Sequence, residues 1–439
     1  MADLPLTLDQ LREMLMEKLS PSDHRALELL FRGESQQSKP CASSSKFEEA
    51  RLAKDTALEG DKSLSVEWIR QLRGRANELE KQREKAPELF QELIQHPLER
   101  RQVLVLNSQR FKNRVLCDLL LEKSLEACLR EPAKAIQLAE LAVTVADGLS
   151  VESLREPIVN DFKAKALAHL ANAYRVSSEV HLAEETLQKA EHYNLLGTGD
   201  LLEKGFLKVV KGALRGNQRR FEECFKQLDG ALQIYRQCGE TELESQTLIS
   251  RALYTGYADH PAEAIELLKV GLASVDPAKN PRLALAALHN LVLNLNDLGR
   301  TEEAEKLLAQ SRPLYHEVGD RISLWRLRWL EARLAQERDQ LETAEQAYLE
   351  TREAFVQEGI LWEVALVSLD LAALYAQQGR NNEIHCLVNE LVPQFKATGL
   401  HREALAALVL FQQASERNHV TTELVRSTMT HLRSLRRDR

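Results

Sequence analysis

Residues 299–319 read GRTEEAEKLLAQSRPLYHEVG, and their spacing decides the fold. Ala304, Leu308 and Tyr315 are four and seven residues apart, which places a small, a large apolar and an aromatic side chain on one face of an α-helix. The same three positions recur in steps of 40 on either side. The small column is Cys224, Ala264, Ala304, Ala344 and Ile384, and the apolar column is Leu228, Leu268, Leu308, Tyr348 and Val388. The third is Tyr235, Val275, Tyr315, Phe355 and Phe395. Gly239, Gly319, Gly359 and Gly399 punctuate the same period, with Lys279 in the remaining place.

Each period divides into two helices. Pro281 to Leu298 is apolar, Gly299-Arg300 is a break, and Thr301 to Tyr315 is the second helix. Thr301 followed by Glu302 and Glu303 predicts an N-cap hydroxyl with carboxylates in the first turn, where the helix dipole favours them. Pro261 fits a first-turn position that needs no N–H. The glycines after the second helices are expected to adopt the left-handed conformation that stops a helix. Earlier and less regular hairpins run from Phe111 to Cys128 with Ala133 to Ala146, and from Asp161 to Val176 with His181 to Tyr193. Pro313 and Pro393, 80 residues apart inside second helices, read as tolerated kinks, with a hinge used in partner binding as the alternative. One hairpin cannot bury both of its faces, so the units must stack.

Leu170-Ala171 with Tyr174, then Ala183, Leu187 and Ala190, resembles the tetratricopeptide repeat signature. So do Leu371-Ala372 with Tyr375 and Gly379, and Gly299 with Ala304, Leu308 and Ser311. The resemblance covers roughly residues 110–436, with units longer than the usual 34, as in tetratricopeptide arrays of bacterial regulators and signalling proteins. It implies an all-α solenoid, a right-handed superhelix of about eight hairpins that binds a protein or peptide in its concave groove. It is nearly silent about biochemical role.

The N-terminal 100 residues read differently. Residues 1–32 hold two short amphipathic helices, Leu8 to Leu19 behind Thr7 and Gln10, and Asp23 to Phe31. Residues 33–63, opening GESQQSKPCASSSK, read as a flexible linker with room for a short helix, and 64–109 as a helical lead-in that Pro87 breaks or kinks. The solenoid then fills 110–439. The opening segment weakly resembles the zinc-binding anti-sigma domain. The family's His and two Cys ligands fall on Leu30, Glu34 and Gln37, so zinc binding is not carried over.

Composition excludes several classes. The chain has 439 residues, 44% hydrophobic and 28% charged, with 5% aromatics, 18 Gly and 12 Pro, which disfavours an all-β, collagenous or disordered chain. With 58 Lys and Arg against 66 Asp and Glu, the net charge of -8 speaks against nucleic acid as a partner. The basic end, Arg426, Arg433, Arg436, Arg437 and Arg439, reads as compensation of the last helix dipole, with a contact to RNA or an acidic partner as the alternative that the net charge weakens. No run approaches the ~18 apolar residues of a membrane span, and the N-terminus lacks a signal pattern. The six cysteines, Cys41, Cys117, Cys128, Cys224, Cys238 and Cys386, form no Cys-x-x-Cys pair and read as isolated buried thiols in a reducing cytoplasm.

No motif supports catalysis. The sequence has no phosphate-binding loop, no H-E-x-x-H and no G-x-S-x-G, and Gly197-x-Gly199 lies between helices rather than after a strand. His385 and Cys386 are adjacent, and adjacent helical side chains diverge. No cofactor or metal is expected, and the chain reads as a non-enzymatic scaffold or adaptor. A regulator that responds to a peptide or small ligand is the alternative. By register, the groove candidates are Lys165, Asn172 and Arg175 on one first helix and His289 and Asn296 on another. Arg326, Trp329, Arg333 and Gln336 follow on a third, with Trp325 one turn before Trp329. Trp and Arg are the commonest binding hot spots, which suggests an acidic or aromatic segment as ligand. Their competing role is packing, with Trp325 in the core and the arginines paired to carboxylates such as Glu331 and Glu337. Ala168 stands where the dicarboxylate clamp of chaperone-binding tetratricopeptide domains has lysine, so capture of a peptide C-terminus is not implied.

Overall fold

The computed structural model describes residues 66–128, 131–177, 179–397 and 424, 425, 427 and 428. Among them every regular element is a helix. The two N-terminal helices, the linker, Gly399 and all five arginines of the basic end lie outside the described residues. The chain divides into two units, Met1–Lys211 with Gln233–Gly239, and Gly212–Leu232 with Glu240–Arg439.

The first unit begins with α1 (Val66–Ile94), α2 (Leu98–Asn107) and a 3-10 turn at Gln109–Phe111. Then come α3 (Arg114–Ala127), α4 (Pro132–Asp147), α5 (Val151–Leu154), α6 (Glu156–Val176) and α7 (Val180–Leu196). α8 (Leu201–Asn217) and α9 (Phe221–Cys238) each span a boundary between the units. Pro87 lies within α1 and does not end it, so of the expected break or kink the break is not formed. The predicted hairpins α3–α4 and α6–α7 are present. α6 packs on α4 and α3, and the core gathers Leu93, Phe111, Leu116, Leu120, Leu138 and Val145.

The second unit carries the strict period. Its hairpins are α10 (Thr241–Tyr257) with α11 (Pro261–Ala273), α12 (Pro281–Asp297) with α13 (Thr301–Val318), α14 (Arg321–Glu337) with α15 (Leu341–Gln357), and α16 (Leu361–Gln377) with α17 (Asn381–Ala397). Each helix packs on the next, and the first helices α10, α12, α14 and α16 also touch in series. This is the contact pattern of a helical-repeat solenoid, in which each unit buries its face against its neighbours. The five small-column residues are fully buried, as are Leu228, Leu268, Tyr348, Tyr235, Tyr315 and Phe355 or nearly so. Pro313 and Pro393 sit inside continuous helices.

The turns correct two expectations. The left-handed residues end the first helices with a strict step of 40: Arg219, Asp259, Gly299, Asp339 and Gly379 have φ of 58°, 64°, 71°, 59° and 72°. After each, the next N–H reaches back to close the helix, as Arg300 N to Leu295 O at 2.9 Å and Arg380 N to Tyr375 O at 2.9 Å. This is the 6→1 bond of a Schellman stop. Gly239 and Gly359 are left-handed after second helices, but Gly319 is extended at φ -64°, ψ 132°. Thr301 is not an N-cap either. Arg300 holds that position without a side-chain cap, and its guanidinium instead binds Glu303 at 2.7 and 2.6 Å. The missing glycine at Lys279 has its own cause: α11 stops at Ala273, and Asp276 forms a turn, accepting from Ala278 N at 3.0 Å. Val275 is therefore outside the helix and only partly buried.

Asp339 bears a Cβ in a conformation that costs an L-residue up to ~1 kcal/mol relative to glycine. Asp339→Gly is expected to raise the melting temperature by about 2–4 °C, read by calorimetry.

Among the described residues no helix is long and apolar enough to cross a membrane. Cys117, Cys128 and Cys224 are buried free thiols as expected, whereas Cys386 is exposed and Cys238 is disulfide-bonded.

Candidate functional site

The first helices of the second unit build a cleft of about 290 Å³. α10 supplies Leu253, Gly256 and Tyr257, and the turn after it Asp259. α12 supplies His289, Asn290, Leu293, Asn294 and Asp297, α14 Arg326, Trp329, Leu330 and Arg333, and α16 Glu363 and Leu366. Four predicted residues, His289, Arg326, Trp329 and Arg333, therefore meet in one cleft. Close packing of α10 on α12 requires the absence of a side chain at Gly256, where a Cβ would stand 2.8 Å from Asn294 Oδ1.

The polar groups are largely engaged with one another across repeats. Arg333 donates from Nη2 to Asp297 Oδ1 at 2.7 Å, and its Nε lies 4.0 Å from Asp370 Oδ2. Burial works against the Arg333 charge, but Asp297 and Asp370 outweigh it and raise its pKa further. Arg326 donates to Glu363 Oε1 at 2.9 Å, with the carboxylate buried and the guanidinium partly exposed. Trp329 donates from Nε1 to the buried Asp370 at 2.7 Å and meets Phe355 edge-on at 6.3 Å. His289 Nδ1 is 2.9 Å from the Tyr315 hydroxyl, whose pKa burial pushes up, so the phenol stays neutral. Asp259 lines the cleft from a left-handed turn position and is exposed.

The other candidates lie elsewhere. Asn296 is buried and does not line the cleft, and Gln336 faces the core, accepting from Tyr348 at 2.8 Å. Trp325 packs partly buried on the core of α14–α17. The carboxylates that hold the arginines are not those expected from local spacing: Glu331 instead meets Arg312 and Arg328. Lys165, Asn172 and Arg175 belong to α6 in the first unit. There Lys165 bridges Asp118 and Glu203, and Arg175 binds Asn172 at 3.1 and 2.9 Å.

Asp259, Asn290, Asn294, Asp297 and Glu363 were missed by the sequence reading. For Asn290 and Asp297 the signal was the same period, since lining positions fall 40 apart as Leu253–Leu293–Arg333, Tyr257–Asp297, His289–Trp329, Asn290–Leu330 and Arg326–Leu366; Asp259, Asn294 and Glu363 have no lining counterpart at that step.

No protein-family model matches the sequence, and no curated protein matches it. Among solved structures, the chain is similar to a Rap protein complexed with competence and sporulation factor, with a TM-score of 0.55 and 9% identity over 71% of this chain and 88% of that one. It also aligns with aspartyl phosphate phosphatase F from Bacillus subtilis, at a TM-score of 0.49 and 12% identity, over 96% of this chain and 98% of that one. A signal-transduction ATPase with a tetratricopeptide repeat sensor from Pyrococcus horikoshii gives 0.46 and 14%, over 94% and 68%. The first likeness is one of fold, and it agrees with an all-α helical-repeat protein. Nothing matched supports the anti-sigma resemblance.

Proposed function

We propose that this chain is a non-catalytic binding protein that holds a short extended segment of a peptide or protein in the cleft of its second unit. The observation that carries this reading is the cleft itself, an apolar floor of Leu253, Leu293, Leu330 and Trp329 with polar groups converging on it from four successive first helices. Its volume of about 290 Å³ suits a few side chains, not a folded domain. The Rap protein of similar fold was solved with a bound factor, which accords with this reading. Charge runs against the acidic ligand that the arginines suggest in sequence. Arg326 and Arg333 are each met by a carboxylate, and Asp259 adds another at the edge, so a neutral or basic segment fits better.

A regulatory role is supported by the placement of those ion pairs. Arg333 joins α14 to α12 and Arg326 joins α14 to α16, so a ligand that exchanges either partner acts on the spacing of neighbouring repeats.

The test is fluorescence anisotropy with labelled pentapeptide pools of fixed central residue, Lys, Leu or Glu. The Lys and Leu pools are expected to bind better than the Glu pool. Asn290→Trp, which fills the cleft from its wall, is expected to weaken them at least tenfold with an unchanged melt. No binding by any pool, or equal binding by the variant, would overturn the reading.

A further inference from the structure

The first unit holds a second group of charged side chains where α3, α6 and α8 meet. Lys165 on α6 lies with Nζ 2.9 Å from Asp118 of α3 and 3.8 Å from Glu203 of α8, so one ammonium ties three helices. The start of α8 has two further ties, and both are carboxylates. Asp161 accepts from Thr198 N at 3.0 and 3.3 Å and from its hydroxyl at 2.6 Å, holding the preceding loop. Asp200 accepts from Leu202 N at 2.8 Å, as an N-cap does. The loop is seated so closely that a Cβ at Gly197 would fall 2.0 Å from Asp161 Oδ1.

Glu203 thus stands in the field of three further carboxylates, Asp118, Asp161 and Asp200, against the single ammonium of Lys165. His169, one turn along α6, adds no second cation: it is stacked on Phe206 at 4.5 Å, and burial with the nearby Lys165 lowers its pKa to about 3. The Cys117 thiol beside Asp118 is buried, and its pKa is raised by that burial. On other sides of α8, Lys211 is paired with Glu191 at 2.7 Å, and Tyr235 of α9 covers Gly205. Burial drives Glu203 up to about 7 against the pull of Lys165, and Asp200 up to about 6. Lys165 stays charged, since Asp118 and Glu203 outweigh the cost of its burial.

We propose that this cluster is a proton-operated latch on the N-terminal end of α8, the helix through which the chain passes from the first unit into the second. With a proton on Glu203, the carboxyl sits in its half-enclosed place beside Lys165 without a surplus negative charge. When that proton leaves, the surplus favours states in which the first turn of α8 lifts toward water. The sign follows from linkage: a carboxyl whose folded pKa is raised lends its stability below the unfolded value of 4.5, and that stability is lost as pH rises through about 7. A single proton makes the opening equilibrium rise by up to about tenfold per pH unit inside that window.

Hydrogen exchange of the full chain between pH 5 and 8.5, corrected for the intrinsic rate, reads this directly in peptides covering residues 200–211. Wild type is expected to show opening that increases with pH up to about 7 and then levels. Glu203→Gln, which keeps the neutral form at every pH, is expected to flatten the rise. Asp118→Asn removes a competing carboxylate from Lys165, and should move the rise to lower pH. A flat wild-type profile overturns the latch, as does a rise unchanged in Glu203→Gln. If Glu203→Gln does not fold, an unmoved rise in Asp118→Asn has the same force.

Discussion

Ala304→Trp is expected to lower the melting temperature by about 5 °C or more, while Glu302→Trp two residues earlier leaves it nearly unchanged. Ala304 has no exposed surface and sits among Leu291, Leu308 and Tyr315, where α13 lies against α12. An indole there cannot be accommodated by a rotamer change, because the surrounding side chains are themselves buried and close-packed. Overpacking of this kind costs about 1–3 kcal/mol in ordinary cores, and an alanine-to-tryptophan change lies at the far end of that scale. A repeat array transmits the damage only to its nearest neighbours, so the loss should appear as an early transition of part of the chain. Calorimetry of both variants separates a register effect from a general intolerance of tryptophan. An unchanged melt for Ala304→Trp would remove the small column as the determinant of helix approach.

That column was fully legible in the sequence, because small residues at a fixed step have few other causes. The capping chemistry was less so. Thr301 with two following glutamates satisfies a local rule for an N-cap, yet the Schellman stop at Gly299 sets the chain's direction first and leaves Arg300 at that position. Gly319 misled for a related reason: its φ of -64° needs no glycine, and the close approach of a Cβ to Tyr315 O at 2.1 Å is what excludes a side chain there. The cleft was half legible. Register placed His289, Arg326, Trp329 and Arg333 on the inner faces, but the partners of the last three lie about one repeat away. Asp297, Glu363 and Asp370 are separated from them by 36, 37 and 41 residues. Helical spacing within one element cannot reveal such pairs. The period can, once it is applied to polar positions as well as to the core.

Trp329→Ala is expected to lower the melting temperature as strongly as any substitution in the cleft, by the equivalent of about 3–5 kcal/mol. The ring is partly buried against the α14–α17 core and Phe355, so its removal leaves a cavity that the rigid repeats cannot close. Its Nε1 also donates to Asp370, which is 6% exposed and has Arg333 Nε as a longer contact at 4.0 Å. Trp329→Phe restores most of the packing but not the donor, and should recover part of the loss, leaving about 1–3 kcal/mol for the unmet carboxylate. Loss of binding in Trp329→Ala alone would therefore not identify a hot spot, since the same change loosens the wall of the cleft. Asn290→Trp and Asp259→Gly separate the two effects. Both act at the lining, and the glycine at position 259 relieves a left-handed turn at φ 64°, so it should stabilise the fold. If peptide binding weakens in Asp259→Gly while the melt rises, the edge carboxylate contacts the ligand and the tryptophan serves the scaffold. If binding instead tracks the melt across all four variants, the cleft's polar lining does not read the ligand.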